Sequence, residues 1–113
     1  MKVLYIAGPY RAQTEWELER NIRHAEEVAL IGWQLGYAVF CPHKNTAHFG
    51  GSCSDDVWLD GTMEFLRRSD AVCMLSTWQA SVGARAELEE ARRLGLDIIA
   101  EGELRSQAGR VTE

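Results

Sequence analysis

Five apolar residues in a row, Ala71-Val72-Cys73-Met74-Leu75, constrain this chain more than any other feature. A strand with one wet face alternates apolar and polar residues. A run without alternation needs cover on both faces, which is the condition of an inner strand in a parallel sheet. Three further β-type runs accompany it: Val3-Leu4-Tyr5-Ile6-Ala7, halted by Gly8-Pro9; Ala38-Val39-Phe40-Cys41, halted by Pro42; and Asp97-Ile98-Ile99-Ala100. Between the first two, residues 15–35 change to a helical period, with Leu18, Ile22, Ala25, Val28, Ala29, Gly32 and Leu35 on one stripe and Gly36 just past its end. Residues 42–56 read as loop, 57–68 as a second helix, 76–82 as loop, and a third helix runs to Leu94 with Gly95 as its cap. From Gly102 onward the chain is polar, and the pattern predicts a frayed tail.

Strands that alternate with helices imply one α/β domain: a parallel sheet of about four strands with helices on both faces. The expected division is a domain over residues 1–101 and a polar tail over 102–113. The full length of 113 residues allows no more than one such domain, and there is no internal repeat or linker.

Twelve Lys+Arg against seventeen Asp+Glu give a formal charge of −5. A nucleic-acid polymer needs the opposite sign, so it is excluded as a partner, while a small anion needs only local positive potential. The first apolar run is too short for a signal peptide, and no stretch approaches the ~20 apolar residues of a membrane span. The expected address is the cytoplasm, without membrane association. An odd count of three cysteines fits a reducing compartment. Cys41, His43, His48 and Cys53 match no standard zinc spacing, so neither a metal nor another cofactor is expected.

In an open parallel sheet, ligands bind beyond the carboxyl ends of the strands. Those ends are Ala7-Gly8-Pro9-Tyr10, Cys41-Pro42-His43 and Leu75-Ser76-Thr77-Trp78. On the third helix, 100° steps put Ala84, Leu88, Ala91 and Gly95 on the core face, with Glu87 at its edge and near the ligand-binding end. A carboxylate there is partly desolvated; the plainer alternative is a surface glutamate. Ser81-Val82-Gly83-Ala84 leads into this helix as an anion cradle or a simple N-cap. Gly8 lets a ligand approach the backbone, and Arg11 suits a phosphate or carboxylate. Trp78 either stacks on a base or covers the core. Trp16 and Trp33 lie off the stripe of the long helix, as at a subunit interface.

Together these segments resemble the nucleoside 2-deoxyribosyltransferase-like superfamily, especially its small phage and bacterial members. The marks are Tyr5-Ile6-Ala7-Gly8-Pro9-Tyr10, Ser69-Asp70-Ala71-Val72 and Ser81-Val82-Gly83-Ala84-Arg85-Ala86-Glu87, the last an S-x-G-x-x-x-E segment. The longer Gly-rich motif of the phosphoribohydrolases that release cytokinin bases is missing.

The resemblance implies a Rossmann-like or flavodoxin-like fold and cleavage or transfer at the N-glycosidic bond of a nucleoside or nucleoside 5′-monophosphate. A glutamate, matched by Glu87, attacks the anomeric carbon, and two displacements retain configuration. Tyr5 matches the tyrosine that holds the nucleophile. Ser81 and Gly83 match the 5′-phosphate site of the monophosphate N-glycosidases. Gly8, Pro9, Tyr10 and Arg11 match the first loop, and His43 and Trp78 line the same edge. The resemblance also implies a homodimer or larger homo-oligomer.

One position departs. A family acid stands eight residues before the strand-three aspartate; Asp70 is that aspartate, and the position holds Thr62. Asp60 is the candidate replacement, provided the helix begins after it and a loop carries it in. The competing readings are a nucleotide-binding protein without catalysis and an interaction protein that uses its tryptophans.

Overall fold

The computed structural model describes residues 1–112. Four strands, β1 (Val3–Ala7), β2 (Ala38–Phe40), β3 (Ala71–Met74) and β4 (Asp97–Ala100), form one parallel sheet in the order β2-β1-β3-β4. The uninterrupted apolar run is an inner strand, as its pattern requires, and every residue of β3 is buried. Tyr5 pairs with Val72 on one side and Phe40 on the other. The Val3 N–H donates to the Asp70 carboxylate at 2.7 Å, which ties the start of β1 to the approach of β3.

Alternation along the strands builds two cores. Leu4 and Ile6 of β1 join Ala71 and Cys73 of β3 against α1 (Glu15–Gln34) and Leu104 of α5 (Glu101–Thr112). Tyr5 and Ala7, with Val72 and Met74, face the other way, against Leu66 of α3 (Asp55–Arg67) and Ala84, Leu88 and Ala91 of α4 (Val82–Leu94). The parallel sheet with helices on both faces is therefore as the sequence predicts. Thr14 caps α1, Ser81 caps α4, and Gly95 ends α4 in the left-handed region at φ 72° that favours glycine.

Two expectations need correction. Residues 42–56 are not all loop: Pro42–Asn45 form one helical turn, α2, with proline pre-set at its start. Residues 102–112 are not a frayed tail: they continue α5, whose Leu104 is fully buried. Polar composition hid this helix because one leucine and a set of ion pairs hold it. Glu113, the last residue of the expected tail, lies outside the described residues. No helix among the described residues is long and apolar enough to cross a membrane.

Candidate active site

The chain leaves β1 toward β2 on one side, whereas β3 leads to β4 on the other. The connections diverge beyond Ala7 and Met74, and this switch point between β1 and β3 is where open parallel sheets form their ligand crevice. Strand parity turns Tyr5 to the α3/α4 side of that crevice, with no exposed surface. Its hydroxyl donates to the Glu87 carboxylate, which comes from the second turn of α4.

This pair is electrostatically distinctive. Burial pushes the Glu87 carboxyl up to about 7, against the opposing effect of the phenol hydrogen bond. Burial, then the neighbouring Glu87 charge, push Tyr5 far above the ordinary phenol range, so it remains a donor. The Thr62 hydroxyl also reaches the phenol, and it donates to the Trp58 and Leu59 carbonyls of its own helix at 2.9 and 3.1 Å. A carboxylate half-buried beside one donor is oriented without being neutralised by a cation. That is the arrangement a nucleophile or a proton carrier needs.

Asp60 is not brought to this pair. Helix α3 begins at Asp55, before Asp60, so no loop carries it inward. It stands two positions before Thr62, about 200° around the helix. Thr62 therefore faces the phenol, and Asp60 is exposed.

The first loop lies along the same edge. Gly8 is buried, and a Cβ on it would meet the Leu75 side chain at 2.5 Å. The glycine is thus required by a close protein approach, a different reason from the ligand approach read from the sequence. The Pro9 carbonyl accepts from His43 Nε2 at 2.8 Å. A carbonyl only accepts, so Nε2 carries the proton; burial pushes the His43 imidazole down, toward its neutral form. Tyr10 meets the His43 ring edge-on at 5.9 Å, and its carbonyl accepts from Asn21 at 3.1 Å. Arg11 forms an exposed ion pair with Asp55 at 2.7 Å, joining the β1 loop to the start of α3. An anion in the crevice would compete with Asp55 for this guanidinium.

On the far side, the Ser81 hydroxyl accepts from the Ala84 N–H at 3.1 Å. A Cβ on Gly83 would meet only the Ser81 hydroxyl, at 3.9 Å, so the first turn of α4 is open there. Trp78 starts a 3-10 turn, Trp78–Ala80, and packs partly buried against the α3/α4 core.

Two features escaped sequence reasoning. Phe40 lies 5.7 Å from the Tyr5 ring and stacks on Phe65 at 4.0 Å, forming an aromatic wall beside the pair. Its one signal in the sequence was its place in the second β-type run; the register that sets it opposite Tyr5 belongs to the folded sheet. The second is a buried carboxylate at the other end of the same edge. Glu101 accepts from the Ser76 N–H at 2.9 Å, from Arg105 at 2.9 Å, and meets His24 Nε2 at 2.8 Å. Burial raises its carboxyl, but these donors outweigh it and hold the group below its ordinary value. Among the described residues, no group of three or more His, Cys, Asp or Glu could hold a metal ion.

The family described as a domain of unknown function (DUF4406) matches residues 2–100. No curated protein matches the chain. Among solved structures, a 2-deoxyribosyltransferase from the psychrotolerant bacterium Bacillus psychrosaccharolyticus superposes with TM-score 0.67 at 17% identity, covering 87% of this chain and 70% of that one. A 2-deoxyribosyltransferase (2-desoxiribosyltransferase) from Leishmania mexicana superposes with TM-score 0.65 at 18% identity, covering 88% of this chain and 63% of that one. The chain therefore spans less than two thirds of the Leishmania mexicana protein. At these identities the likeness establishes a shared fold.

Proposed function

The chain belongs to the DUF4406 family, and from that premise we propose that it cleaves or transfers at the N-glycosidic bond of a nucleoside 5′-monophosphate or nucleoside, with Glu87 as nucleophile. The observation that carries this reading is the hydrogen bond from the fully buried Tyr5 to Glu87 at the crevice between β1 and β3.

Glu87 attacks C1′ of the sugar and forms a covalent glycosyl-enzyme; water or a second base then releases it with net retention. Tyr5 holds the reacting carboxylate in one orientation. Ser81 and Gly83, at the positive end of the α4 dipole, receive a 5′-phosphate, and Arg11 turns from Asp55 toward it. Gly8, Pro9, Tyr10 and His43 form the wall opposite α4, and Trp78 borders the base. The reading needs no metal or cofactor. It also takes the chain to be a cytoplasmic homo-oligomer, with Trp16 and Trp33, 72% and 55% exposed, covered by another copy.

The test is chromatography after incubation with ribo- and deoxyribonucleosides and their 5′-monophosphates, with wild type and Glu87→Gln side by side. Free base from the wild type alone is the expected result. Tight nucleotide binding without release of any base would instead favour a binding protein of the same fold.

A further inference from the structure

We infer that the preferred substrates are N-glycosides whose leaving base already carries a positive charge, namely pyridinium and N7-alkylpurine nucleosides or nucleotides. The inference rests on Glu87 as nucleophile and adds the substrate class.

The reason is the proton inventory of the crevice. When C1′–N breaks, the bonding pair stays on nitrogen. A neutral base then leaves as an anion unless an acid protonates it, which is why cleavage of neutral glycosides uses a second carboxylic acid. Here the inward position on α3 is a threonine, in contact with the phenol. The other carboxylates of the two covering helices are turned away or engaged. Asp56, Asp60 and Glu89 are exposed, and Asp60 and Glu89 each lie about 200° around their helix from the inward residue. Glu64 and Glu90 pair with Arg68 and Arg67, both at 3.1 Å. Asp55 is held by Arg11 and stands seven residues from Thr62, about 10 Å along the helix axis. The nearby His43 has its Nε2 proton committed to the Pro9 carbonyl.

A cationic base needs none of these groups. The Glu87 carboxylate forms the new C1′–O bond, the C1′–N pair cancels the charge on nitrogen, and the base departs neutral with no proton supplied. Water then adds at C1′ and displaces the Glu87 carboxylate, leaving the sugar hydroxyl and one proton in solvent. The surroundings also suit a cation. Phe65, 48% exposed, stacks on the half-buried Phe40 next to the buried Tyr5 ring, and exposed aromatic surface attracts a flat cation. Among the described residues, no lysine or arginine acts on Glu87. A cation beside Glu87 further favours its ionised, nucleophilic form.

The experiment compares nicotinamide mononucleotide and 7-methylguanosine 5′-monophosphate with AMP, GMP and their deoxy forms, on wild type, Glu87→Gln and Thr62→Asp. The expected wild-type kcat/KM for the cationic pair exceeds that for the neutral set by about 100-fold or more, the scale of a missing general acid, and Glu87→Gln abolishes both. Thr62→Asp, which puts an acid at the inward position, is expected to raise release of neutral bases about tenfold or more. If wild type releases neutral bases as fast as cationic ones through Glu87, the charge preference is overturned while the nucleophile stands. If no base depends on Glu87, both readings fall. No gain on neutral bases from folded Thr62→Asp overturns the argument that position 62 lacks the acid.

Discussion

Glu87 and Glu101 are the same residue type at the same edge of the same sheet, and their surroundings give them opposite characters. Glu87, on the α3/α4 side, has a phenol hydrogen bond and burial, and its carboxyl is pushed up to about 7. Glu101, on the α1/α5 side, has a backbone N–H, a guanidinium and an imidazole around it, and its carboxyl is held low. Burial acts upward on both, so the number and charge of donors decides the outcome. A buried carboxylate with a full set of donors has no reactivity left to offer and serves as a clasp joining α1, α5 and the β3 loop. One with a single neutral donor is poised and unstable.

Replacing each glutamate separately is the strongest way to break this comparison. Glu87→Gln is expected to lower base release by roughly a thousandfold or more while urea unfolding stays close to wild type, because the lost group was unfavourably desolvated. Glu101→Ala is expected to cost about 3 kcal/mol of stability, since it leaves buried donors unpaired. Global stability that collapses in Glu87→Gln and survives in Glu101→Ala would reverse the assignment.

Smaller effects sharpen it. Tyr5→Phe removes the one side-chain donor that acts on Glu87 among the described residues. We expect kcat/KM to fall about 10- to 100-fold, the worth of one hydrogen bond to a charged group, and its acidic limb, near pH 7 in wild type, to move to higher pH. A limb that stays in place would mean that Tyr5 does not act through Glu87.

Stability against pH separates the two carboxylates by sign. For Glu87 the folded value, about 7, lies above the ordinary 4.5, so the folded state binds more protons between them. Its contribution is complete below about pH 4.5 and is lost as pH rises through 7. For Glu101 the folded value is lowered, so its contribution is present above the ordinary value and is lost as pH falls through the folded one. Urea titrations from about pH 2 to 8 should therefore flatten on the neutral side in Glu87→Gln and on the acid side in Glu101→Gln. The smallest expected effect is that of Arg11→Ala. Its exposed pair with Asp55 is worth at most about 1 kcal/mol of stability, but KM for 5′-monophosphates should rise about tenfold while KM for nucleosides stays. Equal changes in both would remove Arg11 from phosphate binding.

Much of the fold is legible in the chain itself. Apolar runs, helical periods and the glycines after two helices are local signals, and they determine four strands, three long helices and the carboxyl edge where a site belongs. Steps of 100° along α4 suffice to put Glu87 at the edge of the core face, whereas the place of Tyr5 beside it was implied only by the family resemblance.

What the tertiary structure decided is everything that depends on pairing across the chain. The start of α3 sets its rotation, so Thr62 rather than Asp60 meets the phenol. Strand register sets Phe40 beside Tyr5, and the Leu75 side chain, not a ligand, accounts for the bare Cα at Gly8. Arg11 meets Asp55 across 44 residues, and Glu101 meets His24 across 77. Periodicity describes which face of an element is apolar, but it carries no information about which distant polar atom that face will meet. Such contacts exist only once the packed sheet has fixed the distance and rotation of its helices.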